Sequence, residues 1–169
     1  MRAKEFIART EDETTAAGRE IAAMLPADAI VHLAGDLGAG KTFLVRAIAT
    51  SLGADPADIA SPTFAIVHQY PLPGGTSIVH IDGYRLSESP REWMEIGIDD
   101  MLREPGLKFI EWPKGDFSRF AESNVRIDIR VIEGEARLIR VEGLISCHTL
   151  DHDGRAVPES GSDHRRASR

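Results

Sequence analysis

Apolar and polar positions recur along this chain in two rhythms, and each switch between them marks an element. "KEFIAR" (residues 4–9) reads as a short first strand. From Glu11 to Leu25 the rhythm is helical. Ala17, Ile21, Met24 and Leu25 fall on one face, Thr10 stands three residues before Glu13 as a capping box, and Pro26 stops the run. "AIVHLAG" (29–35) is mostly apolar, as expected of a parallel strand buried on both faces. "KTFLVRAIATSL" (41–52) is helical again and ends at Gly53.

"TFAIVHQY" (63–70) and "TSIVHID" (76–82) read as two strands joined by Pro71-Leu72-Pro73-Gly74-Gly75, which predicts a hairpin. Ser89-Pro90-Arg91-Glu92 opens a further helix, with Ser at the cap and Pro in the first turn. "GLKFIEW" (106–112) is one more apolar strand. "VRIDIRVIEGEARLIRV" (125–141) is a second hairpin, in which Val125, Ile127, Ile129 and Val131 alternate with charged residues around Glu-Gly-Glu. Residues 151–169 carry few hydrophobes and are expected to form a disordered tail behind a single domain, residues 1–150. The class expected is α/β, with a core of parallel strands, flanking helices and antiparallel edge hairpins.

Composition narrows what such a domain can do. The 169 residues carry a formal net charge of -7, which speaks against gripping nucleic acid unaided. A single cysteine, Cys147, rules out an internal disulfide and suits a reducing cytoplasm. No apolar run reaches membrane-spanning length, and the first residues lack a signal-peptide core, so the expected location is cytoplasmic.

The chemistry concentrates between the second strand and the second helix. Gly35-Asp36-Leu37-Gly38-Ala39-Gly40-Lys41-Thr42 fits G-x-x-x-x-G-K-[ST], in the strand-to-helix context a phosphate loop requires. Its glycines allow positive φ, so that successive N–H groups can turn toward an anion, and the helix adds its positive end. Lys41 would neutralise the β- and γ-phosphates, and the Thr42 hydroxyl would ligate Mg²⁺. The bland alternative is a glycine-rich turn with a helix-cap lysine. Such a loop needs a carboxylate at a nearby strand end, and two qualify: Asp82 and Glu111. Ser61-Pro62-Thr63-Phe64 reads either as a switch-like loop sensing the γ-phosphate or as a strand-entry turn. His80 shares a strand face with Asp82, although a satisfied core histidine is the commoner case. Cys147, His148 and His152 lack a fourth partner at metal-ligand spacing.

GDLGAGKT, SPTF, H-I-D-G-Y-R-L (80–86) and I-E-W-P (110–113) stand together in this order. The combination resembles the bacterial TsaE family, formerly YjeE, small P-loop ATPases of tRNA threonylcarbamoyladenosine biosynthesis, over about residues 5 to 145. The resemblance implies ATP and Mg²⁺ as ligands and a TsaB–TsaD complex as partner, with tRNA met only through that complex. It also implies roles. Lys41 and Thr42 hold phosphate and Mg²⁺, Glu111 acts at the metal or on the attacking water, Asp82 is the Walker-B-like acid, and Thr63 belongs to a switch. Thr10 and Glu11 would lie near the adenine. Two rivals stand beside it: a small P-loop kinase, and a nucleotide-dependent binding module without turnover.

Overall fold

The computed structural model describes residues 2–57, 59, 66–86, 89–113, 125–143, 149–150 and 156–157. In chain order these form β1 (Arg2–Ala8), α1 (Glu11–Met24), β2 (Ile30–Ala34), α2 (Lys41–Ser51), β3 (Val67–Pro71), β4 (Ser77–Asp82), α3 (Pro90–Glu95), α4 (Ile98–Arg103), β5 (Lys108–Glu111), β6 (Val125–Val131) and β7 (Arg137–Gly143). A short ladder follows, β8 (Thr149–Leu150) with β9 (Ala156–Val157).

One seven-stranded sheet runs in the order β1-β7-β6-β2-β5-β4-β3. Strands β6, β2, β5 and β4 are mutually parallel, and antiparallel partners complete both sides: β7 and β1 beyond β6, β3 beyond β4. The expected parallel core with antiparallel edge hairpins is what forms.

Side-chain alternation sorts the core onto two faces. Val31, Leu33, Phe109 and Ile127 join Ile21 of α1 and Leu44, Val45 and Ile48 of α2 on one side. Val79, Ile81 and Ile110 join Trp93 of α3 and Ile98 and Leu102 of α4 on the other. Helices α1 and α2 approach closely at Gly18, where a Cβ would lie 2.6 Å from that of Ala47. At the start of α1, Glu13 N–H donates to Thr10 Oγ1 as in a capping box, while the Glu13 carboxylate accepts from the N–H of Arg9, one residue before the cap.

Some boundaries depart from expectation. The helix opened by Ser89 is two, because Gly97 takes φ 74° between them. Pro71 pairs with Ser77 inside the hairpin rather than lying in the connection. The fifth strand stops at Glu111, where Trp112 takes φ 53°. Of residues 151–169 only β9 falls among the described ones.

Candidate functional site

Strand β2 and helix α2 meet at the carboxyl edge of the parallel strands, where an open α/β sheet offers its crevice. Gly35, Gly38 and Gly40 take φ of 143°, 79° and 105°. At Gly35 the demand is double, since a Cβ there would also lie 2.4 Å from the Ile129 carbonyl oxygen. Asp36, Leu37 and Gly38 form the exposed crest of the loop, and Ala39 is buried beneath it.

Lys41 opens α2 and is only 5% exposed. Its Nζ donates to the carbonyls of Gly35 and Asp36 at 2.9 and 3.0 Å. It lies 4.3 Å from the centroid of the Trp112 ring and 4.0 Å from Glu111 Oε2. Burial lowers its pKa, while the charges of Glu111, Asp82 and Asp36 pull the other way. The ammonium is thus withdrawn from water and held at the loop by dipoles, a π face and carboxylates.

Glu111, the last residue of β5, stands in register with Asp82 of β4 and Leu33 of β2. It is 4% exposed. Its Oε1 accepts from Thr42 Oγ1 at 3.0 Å and from His80 Nε2 at 2.9 Å. The other ring nitrogen of His80, Nδ1, lies 3.1 Å from the Tyr70 hydroxyl. Burial pushes the Tyr70 phenol up to about 12. Asp82 is half-buried, and its Oδ1 accepts the Tyr84 N–H at 3.0 Å, capping the turn that follows β4. Gly83 next to it must be small, because a Cβ would lie 2.6 Å from the Trp112 carbonyl oxygen. A bulky residue with positive φ costs strain of order 1–3 kcal/mol; here Trp112 carries it beside Glu111, its ring over Lys41 and edge-on to Tyr84.

Two concavities flank the loop. One, of about 170 Å³, is lined by Glu11, Thr14, Gly40, Phe43 and Arg137, so Glu11 opens onto the loop while Thr10 caps its helix. The other, of about 300 Å³, lies between Gly35, Asp36, Trp112, Asp128 and Arg130.

The structure therefore brings Gly35 to Thr42, Glu111, Asp82 and Glu11 to one edge of the sheet. Thr63 lies outside the described residues, as do Cys147, His148 and His152. The sequence leaves His80 open between a support of the site and a satisfied core histidine; it is buried and also touches Glu111 directly. The period of β4 did signal it, by setting His80 on the face of Asp82. Trp112 stood inside the I-E-W-P motif without a role of its own, and Tyr70, Phe43 and Arg137 lay outside every motif. The donors near the loop are hard oxygens, the Thr42 hydroxyl and the carboxylates of Glu111 and Asp82. That chemistry fits Mg²⁺, which keeps several of its waters.

The family model described as "Threonylcarbamoyl adenosine biosynthesis protein TsaE" matches residues 8–139. Two proteins named tRNA threonylcarbamoyladenosine biosynthesis protein TsaE are similar to the chain. The one from Streptomyces coelicolor is 37% identical over 132 residues, 75% of this chain and 88% of the relative. The one from Rickettsia bellii is 34% identical over 137 residues, 81% and 93% of the two chains. Among solved structures, the crystal structure of Bacillus subtilus YdiB superposes with a TM-score of 0.63 at 24% identity, covering 85% of this chain and 86% of that one.

Proposed function

The chain belongs to the TsaE family, and from that premise we propose that it is a Mg²⁺-dependent ATPase serving a TsaB–TsaD complex that installs threonylcarbamoyladenosine in tRNA. The observation that carries the proposal is the hydrogen bond from Thr42 Oγ1 to Glu111 Oε1. It joins the end of the phosphate loop to the acid of a neighbouring strand, the pairing that phosphoryl transfer needs.

The loop N–H groups and the start of α2 receive phosphate oxygens. Lys41 exchanges the carbonyls of Gly35 and Asp36 for the β- and γ-phosphates, a stronger charge-assisted contact. Because Thr42 spends its proton on Glu111, its oxygen lone pairs stay open to a cation. Glu111 and Asp82 hold water or metal from the strand ends. Thr42, with Glu111 and Asp82, would hold Mg²⁺, which would supply charge neutralisation for the phosphates. The cavity between Glu11, Phe43 and Arg137 is of a size and polarity to take the adenine end. The chain has no N-K-x-D run to specify guanine.

The test is phosphate release from ATP with and without purified TsaB–TsaD. Stimulated release is expected for the native chain, and Lys41→Ala should lose nucleotide binding together with it. Unchanged release by Lys41→Ala would overturn the assignment of the loop. A labelled product other than inorganic phosphate would make the protein a kinase.

A further inference from the structure

We propose that His80, braced by Tyr70, is a positioning residue that locks Glu111 with one carboxylate oxygen saturated and the other presented to the phosphate loop. The inference rests on the ATPase reading above and adds to it the orientation of its acid.

The chain of contacts crosses three adjacent strands on one face of the sheet. Tyr70 stands on β3, His80 on β4 and Glu111 on β5, and the row ends on Thr42 of α2. Its interior is buried: His80 is 1% and Tyr70 0% exposed. A carboxylate accepts and cannot donate, so His80 must present Nε2–H to Oε1. Nδ1 then carries a lone pair when the ring is neutral, and the Tyr70 hydroxyl donates to it. The phenol keeps its proton through the physiological range, because burial disfavours the phenolate. Tyr70 thus holds one side of the ring while Nε2–H faces Glu111 on the other.

Oε1 receives two donors, His80 Nε2–H and Thr42 Oγ1–H. These fill its two in-plane lone pairs. Oε2 receives no hydrogen bond from the described residues and lies 4.0 Å from Lys41 Nζ, on the side of the loop. A glutamate free to turn about its last torsion would present either oxygen. With His80 in place, the two oxygens are no longer equivalent: one is structural and the other acts on water or metal. The same lock holds the Thr42 hydroxyl with its lone pairs outward.

Two measurements test this. In the native protein without nucleotide, the His80 ring nitrogens are read by two-bond proton–nitrogen NMR. A proton on Nε2 is expected, and a bare Nε2 overturns the proposal. In the second, His80→Leu, His80→Gln and Tyr70→Phe are compared for ATP affinity without metal, for the Mg²⁺ concentration that half-restores binding, and for kcat and KM with TsaB–TsaD. Loss of such an orienting partner typically changes metal affinity or turnover by about 10- to 100-fold. For His80→Leu that loss should fall on Mg²⁺ half-saturation and kcat, with metal-free affinity and KM within about 3-fold of native. His80→Gln, whose amide can donate near the Nε2 position, should recover part of the loss, and Tyr70→Phe should show a smaller defect. His80→Leu folded and kinetically native would overturn the proposal, and so would failure of Gln to improve on Leu. Glu111→Gln separates the two levels. If it turns over normally, the ATPase site itself is misassigned; if it is inactive while His80→Leu is native, only the positioning role fails. His80→Leu added to Glu111→Gln should cause no further loss in kcat.

Discussion

At the scale of single residues, two carboxylates make opposite demands on their surroundings. Glu111 is buried between a hydroxyl, an imidazole and an ammonium. Replacing it by Gln keeps the volume and removes the charge. Glu111→Gln is expected to retain ATP binding and lose most TsaB–TsaD-stimulated hydrolysis, about 100-fold or more. A Mg²⁺ titration of nucleotide affinity then separates its roles: a metal ligand weakens the Mg²⁺-dependent part, and a water-orienting base leaves it intact. Asp128 instead works for stability. The guanidinium of Arg126 holds its carboxyl below the usual range through two hydrogen bonds of 2.8 and 3.1 Å. A depressed carboxylate pKa means the contribution is present above the unfolded value near 3.8 and is lost as pH falls through the folded one. Arg126 is largely exposed, so solvent screening limits the pair to about 0.5 kcal/mol. Asp128→Asn should lower the unfolding free energy from urea titration by that amount at pH 7 and make little difference near pH 3.

At the scale of elements, the packing of α1 on α2 sets the position of the phosphate loop, because α2 begins at Lys41. Gly18 packs closely against Ala47, and two effects of Gly18→Ala compete there. Helix propensity favours alanine by up to about 1 kcal/mol. Against that, a Cβ 2.6 Å from the Ala47 methyl forces the helices apart, at about 1–3 kcal/mol for overpacking. The clash is larger, so the variant should be less stable by about 1 kcal/mol or more in urea titration. Displacing α2 should also weaken ATP binding. On the other face, α3 and α4 carry much of the acidic charge between Asp82 and Glu104. Much of it is matched locally, Glu95 by Arg91 and both Asp99 and Asp100 by Arg103. Exposed pairs of this kind contribute little to stability.

At the scale of the whole molecule, four parallel strands aim their carboxyl ends at one edge and bring Gly35, Asp82, Glu111 and Asp128 there together. No helix among the described residues is long and apolar enough to cross a membrane. The β8–β9 ladder is only two residues long and separate from the main sheet. Removing residues 153–169 takes away one side of that ladder and none of the seven-stranded sheet. The truncated chain should therefore keep its unfolding free energy from urea titration within about 0.5 kcal/mol and its ATP affinity unchanged. A larger loss would show that these residues dock on the domain.

What could be read along the chain is whatever depends on near neighbours. The loop Gly35–Thr42 is a local structure, set by glycines that tolerate positive φ and by the helix that follows, so its eight residues announce it without the rest of the fold. The capping box of Thr10 and Glu13 is local in the same way, as are the faces of each strand, including the shared face of His80 and Asp82. A period of two assigns a residue to a face and says nothing about which strand lies beside it. That decision belongs to the strand order, settled by how the two apolar faces are covered by α1 and α2 on one side and α3 and α4 on the other. Only then do Thr42 and Glu111, 69 positions apart, come within 3.0 Å, and only then does His80 become the partner of Glu111 rather than one more buried histidine. The phosphate loop was legible because its geometry is made by adjacent peptides; the acid's orientation was not, because donors from a helix and a neighbouring strand converge on it only in the folded sheet.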